Sequence, residues 1–346
     1  MPQVTAVWDD ILCWLRGESL PRSATLLAPE ALRELTAQFD TDDVEGEARR
    51  MGCAYLVGRE AGGGSTEALH ALERAIRGDS SEGGRMASDA PGLGHRTRCG
   101  IWGSVAAGDA ATSMLLNMLE ESELSLVIRA GTALGESCQN PTVETIKSIG
   151  ATVNRLRSLI NLQEEGLSLE FVKAERQLAT FASRETKERY RRIEWQAMDV
   201  LAQALWYITS RAIRNLRNGY NAVASKTTEA ELAVCEEVVT VVVPLMDEDI
   251  NLPSTTRMNA AYTAVTLSQL ERWRSVHSKE ALAAALVRAS TDDDRYVVAA
   301  AAEGLKWLRL GEIDGYQSAA AVAARQMTQK LVWERWCPIN SVRAPF

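Results

Sequence analysis

Four residues near the C-terminal end of the chain combine positive charge with small side chains. Arg295, Ala299, Ala302 and Lys306 are spaced by three or four residues, so they line one face if the segment is helical, with Glu303 beside them. A surface with a cation at each end and small residues between them suits a diphosphate joined to an apolar chain. The alternative interpretation is an ordinary solvent-exposed helix face with its usual charges.

Three oxygen-bearing side chains elsewhere in the chain are candidate ligands of Mg²⁺. Glu136, Asp199 and Asn259 each lie on a polar stripe with helical spacing. Magnesium binds a few carboxylate or carbonyl oxygens in proteins and completes its shell with water or phosphate oxygens. Arg257 lies close to Asn259 and joins the two cations described above as a candidate diphosphate-binding residue. The alternative is that these side chains cap helices or bind one another.

The chain contains nine tryptophans but only four phenylalanines. Trp195 and Trp206 share the helical stripe of Asp199, and they are therefore the tryptophans that we expect at a pocket. Tryptophan rings can surround an apolar substrate and stabilise a cation through the π-system. The alternative is that these tryptophans are core or interface residues, as most tryptophans are.

Several other kinds of function find no support in the sequence. The three histidines, His70, His95 and His277, are isolated, which disfavours a histidine-based metal site or a Ser-His-Asp triad. The sequence also lacks the glycine-rich phosphate loop GxxxxGK[ST]. The net charge is −8 and basic residues form no block, so we expect no nucleic-acid partner.

The sequence also indicates where such a protein would reside. The six cysteines are scattered without a CxxC pair, which favours free thiols in a reducing compartment, and we expect a cytoplasmic protein. No run of about 18 apolar residues occurs, so we expect no membrane span. The segment Met1 to Arg16 carries Asp9 and Asp10 within its apolar stretch, unlike a secretory signal peptide.

The elements that must position these residues form a degenerate repeat. The segments 123–136, 254–267 and 292–305 each begin with polar residues and continue with an arginine and an Ala-rich stretch of helical periodicity. The segments 47–58 and 96–107 are weaker copies. Small residues let neighbouring helices approach closely, and an arginine early in the second helix of each pair is typical of HEAT units. The spacing between Arg257 and Arg295 is near the ~40 residues of one such unit.

We therefore predict an all-α fold, an irregular HEAT-like α-α superhelix that curls around a central pocket. We expect one domain over residues 1–346. The stretch at about 77–95 is rich in Gly, Ser and Asp, which predicts a flexible loop or lid. Residues 238–243 read VVTVVV and have the composition of a strand, but they continue a helical pattern, and we predict a buried helix there.

The end of the chain resembles a known family. The segment Asp292 to Val297, the segment Glu303 to Lys306 and the tail Arg335 to Ile339 are similar to the C-terminal part of fungal HEAT-like proteins, in particular the atypical humulene synthases of tropolone-sesquiterpenoid pathways. The resemblance implies cyclisation of farnesyl diphosphate with two Mg²⁺ ions and an essential lysine, which would be Lys306 here. The family has Leu or Met one turn earlier, where this chain has Ala302.

Three functional hypotheses follow from these patterns. The first is a magnesium-dependent terpene cyclase that ionises farnesyl diphosphate and yields a humulene-like sesquiterpene, with a homodimer possible. The second is a non-catalytic HEAT-repeat scaffold that binds another protein. The third is a different cyclase, a pericyclase or an isomerase on the same scaffold.

Overall fold

The structure is a computed structural model that describes residues 27–40, 46–78, 95–164, 193–219, 226–246, 252–270 and 273–308. These residues form α-helices, short 3₁₀ turns and connections, with no strand among them, and the predicted all-α fold is confirmed. Most of the predicted lid, residues 79–94, lies outside the described residues, as do all residues beyond 308. The α-helices are α1 (Pro29–Ala37), α2 (Glu47–Gly62), α3 (Thr66–Arg77), α4 (His95–Ala107), α5 (Thr112–Leu119), α6 (Leu124–Ser137), α7 (Val143–Glu164), α8 (Ile193–Gly219), α9 (Lys226–Val242), α10 (Ser254–Ser268), α11 (Val276–Ala289) and α12 (Arg295–Trp307).

These helices divide into two compact units. The first unit contains α1 to α6, and the second contains α7 to α12, with α8 included from Glu194 onward. Each unit is described by itself below. One domain over the whole chain, a superhelix and a central pocket stay predictions.

The first unit is a stack of three helix pairs. Helix α1 packs on α2, α3 on α4, and α5 on α6. The second helices of the pairs also pack side by side, α2 against α4 and α4 against α6. Neighbouring pairs of the first unit therefore contact one another through their second helices.

Two glycines allow a close contact between α2 and α4. A Cβ atom added at Gly58 would overlap the carbonyl oxygen of Gly103 and lie 2.7 Å from the Cβ of Ala106. A Cβ atom added at Gly103 would lie 3.0 Å from the carbonyl oxygen of Ala54. The small residues of the two weaker repeat copies therefore bring the backbones of α2 and α4 together.

The second unit pairs its helices in the same manner. Helix α9 packs on α7 and α10, and α12 packs on both α10 and α11. Helix α8 joins α10 through hydrogen bonds from Thr255 and Thr256 to Asp199. Helix α9 continues to Val242 and a 3₁₀ turn follows over Val243–Met246, so the predicted helical state of the valine-rich segment is confirmed.

The cysteines of the described residues are buried free thiols. Cys53, Cys99, Cys138 and Cys235 form no disulfide. Burial raises the pKa of the Cys53 thiol to about 11, with a small opposing effect of Arg49. Burial also raises the pKa of Cys99 and of Cys235 to about 12. Thiols with such pKa values are poor nucleophiles near neutral pH, which gives them a packing role. None of the described helices is both long and apolar enough to cross a membrane.

We expect Gly58→Ala to destabilise the first unit by about 3 kcal/mol, because the added methyl group meets backbone atoms that cannot rotate away. The matched control is Gly64→Ala, where a Cβ atom meets nothing within 4 Å but φ is +98°. The control substitution should cost about 1 kcal/mol, from the backbone conformation alone. Urea unfolding followed by circular dichroism measures both. Equal losses would contradict the close approach of α2 and α4.

Candidate functional site

Helix α12 presents the predicted stripe on its outer side. The carboxylate of Asp294 caps the helix by accepting a hydrogen bond from the Tyr296 backbone N–H at 2.7 Å. The apolar side of the helix is buried against the unit, while Arg295 and Lys306 are exposed. Ala299 and Ala302 are half-buried between them. The structure thus brings the predicted cations and small residues to one face.

The two cations mark opposite ends of this face. Arg295 is the first residue of α12 and Lys306 is the penultimate one, so they lie about 16 Å apart along the helix axis. The side chain of Lys306 is 65% exposed, and its ammonium lies 3.6 Å from the carboxylate of Glu303. The Trp307 indole donates a hydrogen bond of 2.7 Å to the same carboxylate. Any ligand that contacted both cations would be elongated.

Arg257 is committed to a buried ion pair. Its Nε and Nη2 atoms donate to the two carboxylate oxygens of Asp292 at 2.7 and 2.9 Å. Its Nη1 atom donates to the Leu252 carbonyl at 2.7 Å, and Nη2 also donates to Asp293 at 2.7 Å. The side chains of Arg257 and Asp292 are 3% and 1% exposed. This predicted diphosphate-binding residue therefore links α10 to the segment that precedes α12.

The ion pair also changes the acidity of the two aspartates. Burial alone would raise the pKa of Asp292, but hydrogen bonds from Arg257 and neighbouring groups hold its pKa below the ordinary value. The hydrogen bond with Asp292 raises the pKa of Asp293, and burial acts in the same direction. Asp292 is thus the charged partner of Arg257, with Asp293 as an exposed second acceptor.

The predicted magnesium ligands lie in both units of the structure. Asp199 is 8% exposed, and its carboxylate accepts hydrogen bonds from Thr255 at 2.7 Å and from Thr256. Asn259 is half-buried on α10, in the same unit, whereas Glu136 is exposed near the end of α6 in the first unit. Among the described residues, no group of three His, Cys, Asp or Glu side chains is placed to hold a metal ion.

The two predicted pocket tryptophans occupy different environments. Trp195 is 1% exposed and belongs to the core of the second unit. Trp206 is half-exposed and stacks on Tyr262 of α10, with ring centroids 5.5 Å apart. It also stacks on Tyr207, its neighbour in α8, at 5.4 Å.

Tyr296 extends this group of rings to α12. Helix α12, which carries Tyr296, packs on α10, which carries Tyr262. Burial raises the pKa of the Tyr262 phenol, and Tyr296 and Asp294 raise it further. The Arg295 guanidinium lies 4.8 Å from the centre of the Tyr296 ring and donates to its hydroxyl at 2.8 Å. We call Tyr207, Trp206, Tyr262 and Tyr296 the aromatic row. It crosses α8, α10 and α12.

The three tyrosines of the aromatic row escaped the sequence analysis, which weighed only tryptophans. The sequence does contain a pattern that could have predicted them. In each of the three helices, an aromatic residue lies among the polar or small residues of the partly exposed face. That pattern becomes visible only when the three helices are known to be neighbours. Of the predicted site residues, Trp206 contacts α10 through Tyr262, and Arg295 lies on the outer face of α12 together with Ala299, Ala302 and Lys306.

Comparisons with known proteins place the chain in no family. No protein-family model matches the sequence, and no curated protein matches it. A solved structure described as an engineered protein, from the Northeast Structural Genomics Consortium, is 16% identical and aligns with a TM-score of 0.37. The alignment covers 81% of this chain and 97% of that protein. A likeness of this degree supports no conclusion about function.

We expect Arg257→Leu to destabilise the second unit by about 3–5 kcal/mol, because Asp292 would be left buried without its partner. The matched control is Arg33→Leu, which removes an ion pair with Glu30 whose side chains are 76% and 75% exposed. Its cost should stay below about 1 kcal/mol. Denaturant unfolding at neutral pH measures both, and similar losses would contradict the structural role of Arg257.

The same pair predicts a pH dependence. The pKa of Asp292 is lower in the folded state than in the unfolded state, so the pair stabilises the fold fully above the unfolded pKa of about 3.9. That contribution should be lost as the pH falls from there through the folded pKa. The difference in unfolding free energy between the wild type and Asp292→Asn should therefore shrink on acidification. A constant difference down to pH ~2 would contradict this assignment.

Proposed function

We propose that the protein is a helical-repeat binding protein whose second unit holds a partner on the face formed by α8, α10 and α12. The aromatic row is the observation that carries this proposal. Trp206 stacks on Tyr207 and on Tyr262 of α10, and Tyr296 is exposed on α12, the helix that packs on α10. Tyrosine, tryptophan and arginine are the residues enriched at the centres of protein interfaces, where they contribute most of the binding energy.

The buried polar residues that join α8, α10 and α12 also favour recognition over catalysis. Asp199 and Arg257 have the chemistry of an active site, but their hydrogen bonds join α8 to α10 and α10 to the start of α12. A catalytic carboxylate or guanidinium needs part of its bonding capacity for the substrate. The hydrogen bonds of Asp199 and Arg257 instead hold the three helices together. The surface that these helices form is therefore preorganised.

A photo-crosslinking experiment tests the proposed surface. A benzophenone amino acid is introduced at Tyr296, which is 47% exposed, and in a second protein at Leu159 of α7, which is 37% exposed. In a lysate of cells that express the protein, we expect a discrete adduct from position 296 only. Trp206→Phe combined with Tyr262→Phe, which keeps ring stacking, should retain the adduct, and Trp206→Ala should remove it.

The adduct formed from position 296 is compared in yield and identity with any adduct formed from the control position 159. Adducts of equal yield and identity at positions 159 and 296 would show non-specific capture and overturn the proposal. Circular dichroism of each variant establishes that loss of the adduct does not follow from loss of the fold.

A second candidate function is the terpene cyclase implied by the resemblance. It is supported by the outer face of α12, where the half-buried Ala299 and Ala302 lie between Arg295 and Lys306. In such a reaction the carbon–oxygen bond of farnesyl diphosphate breaks, and both electrons leave with the diphosphate. The allylic cation closes a ring on a distant double bond and then loses a proton. Lys306 would stabilise the negative charge that develops on the leaving group.

The magnesium ions of that hypothesis have no fitting set of ligands among the described residues, so no step is derived through them. The cyclase would also have to shield a reactive cation from water. On the described residues, Lys306 is 65% exposed. These two observations place the cyclase second.

Product analysis decides between the two functions. The purified protein is incubated with farnesyl, geranyl and geranylgeranyl diphosphates, with and without Mg²⁺, and volatiles are identified by mass spectrometry. The cyclase hypothesis expects a Mg²⁺-dependent hydrocarbon or alcohol that Lys306→Ala abolishes. The matched control Lys147→Ala, at an exposed lysine of α7, should leave it unchanged. Absence of product from all three substrates would contradict the cyclase hypothesis.

A further inference from the structure

Two side-chain contacts join α8 to α10. At the first, the carboxylate of Asp199 accepts hydrogen bonds from Thr255, at 2.7 Å, and from Thr256. At the second, Trp206 stacks on Tyr262 with ring centroids 5.5 Å apart. We call the group of Asp199, Thr255 and Thr256 the clasp. One of the predicted metal ligands is therefore linked, through the same pair of helices, to two rings that carry the proposed function.

The two contacts have the same spacing on both helices. Asp199 precedes Trp206 by seven residues in α8. Thr255 precedes Tyr262 by the same number of residues in α10. Seven residues make about two helical turns, or about 10 Å along the helix axis. The two helices therefore run in the same direction along this stretch and keep one register, so a displacement at the clasp is carried to the rings.

We infer, on the basis of the proposed function, that Asp199 is a positioning residue for the binding surface. Its carboxylate sets the register between α8 and α10. This register holds the ring of Trp206 on the ring of Tyr262 in the arrangement that the partner contacts. Asp199 is only 8% exposed, so it acts on the partner through these rings.

The clasp constrains the register more strictly than the rings do. Asp199 is nearly buried and Thr256 is 0% exposed, and an unpaired carboxylate at such a site costs about 3–5 kcal/mol. One carboxylate oxygen accepts from Thr255 and the other from Thr256, so both oxygens are held. Stacked rings, by contrast, tolerate centroid separations of about 4.5–7 Å. The clasp therefore fixes the register, and the rings follow it.

The place of the clasp on α10 also favours a carboxylate at position 199. Thr255 and Thr256 are the second and third residues of α10. The N-cap residue Pro253 supplies no side-chain cap, and the first turn of α10 contains no acidic residue. A negative charge near the N-terminus of a helix interacts favourably with the helix dipole. Asp199 supplies this charge from α8.

Fluorine NMR of the full-length protein, with 5-fluorotryptophan in place of tryptophan, tests the inference. The resonance of Trp206 is assigned by its absence from Trp206→Phe. Thr255→Val removes one hydroxyl at nearly constant size, and Asp199→Asn leaves one acceptor oxygen for two hydroxyls. We expect each substitution to shift the Trp206 resonance by more than its line width. Thr255→Ser keeps the hydroxyl and should leave the resonance near its wild-type position.

Thr266→Val is the matched control for Thr255→Val. Thr266 lies in the same helix, one turn after Tyr262, and its hydroxyl donates to the Tyr262 carbonyl of that helix at 2.9 Å. Its removal should leave the Trp206 resonance in place. Trp102, in α4 of the first unit, provides an internal control that is assigned in the same way. Its resonance should stay unchanged in every variant of the clasp.

The binding readout uses the benzophenone amino acid at position 296 in the same variants. We expect Thr255→Val and Asp199→Asn to lower the yield of the adduct described above. Thr266→Val should leave the yield unchanged. A shifted Trp206 resonance together with a lower yield supports both the inference and the proposed function.

The other outcomes separate the inference from the proposed function. An unshifted Trp206 resonance in both Thr255→Val and Asp199→Asn would overturn the positioning role and leave the proposed surface untouched. Shifts of the Trp102 and Trp206 resonances together would assign the clasp to the stability of the fold, and would also overturn the positioning role. A shift of Trp206 alone with an undiminished adduct would overturn the proposed function, because the partner would then be indifferent to the rings.

Discussion

The buried ion pair between Arg257 and Asp292 joins helices α10 and α12 of the second unit. It fastens α10 to the segment that leads into α12, and Asp292 also accepts a hydrogen bond from the backbone of Asp294, the residue that caps α12. Burying the pair has a large desolvation cost, so it is a weak source of net stability but a strict geometric constraint. The bidentate hydrogen bonds from Arg257 to Asp292 therefore connect α10 to the turn from which α12 begins.

The helices themselves follow from the sequence, and for identifiable reasons. Ala-rich periodic segments with rare proline have few alternatives to a helix, and the valine-rich end of α9 is helical because it continues an amphipathic pattern. The close packing of α2 on α4 was also foreseeable, since Gly58 and Gly103 stand among small residues. The three repeat arginines were less predictable. In the structure, Arg129 is the sixth residue of α6, Arg257 is the fourth residue of α10 and Arg295 is the first residue of α12.

Because the three arginines lie at different positions along their helices, their side chains have different surroundings. The site could therefore be predicted only in part from the sequence. Arg129 donates to the last carbonyls of α3, Arg257 meets a carboxylate 35 residues away, and Arg295 points outward. A polar stripe has the same appearance in sequence whether it contacts a ligand or the next helix. Asp199 and Arg257 have the residue types of a metal and phosphate site, yet they meet hydroxyl and carboxylate groups whose positions depend on packing between distant segments.

The distribution of buried and exposed side chains in the second unit supports the proposal of recognition at its surface. Asp199, Arg257 and Asp292 face inward and bind other groups of the unit, whereas Trp206, Tyr262 and Tyr296 are partly or fully exposed. Leaving aromatic surface in water forgoes about 25 cal/mol for each Å² that burial would remove. Folding alone would favour covering these rings, and single exposed aromatics need no explanation. Trp206 stacks on Tyr207 and on Tyr262 of the next helix, and the exposed Tyr296, with Arg295 over its ring, lies on α12, which packs on α10. An exposed group of aromatic rings marks a binding site more often than single exposed rings do. The packed helices supply the surface on which such a group of rings can be built, and the identity of the side chains on that surface decides what it binds.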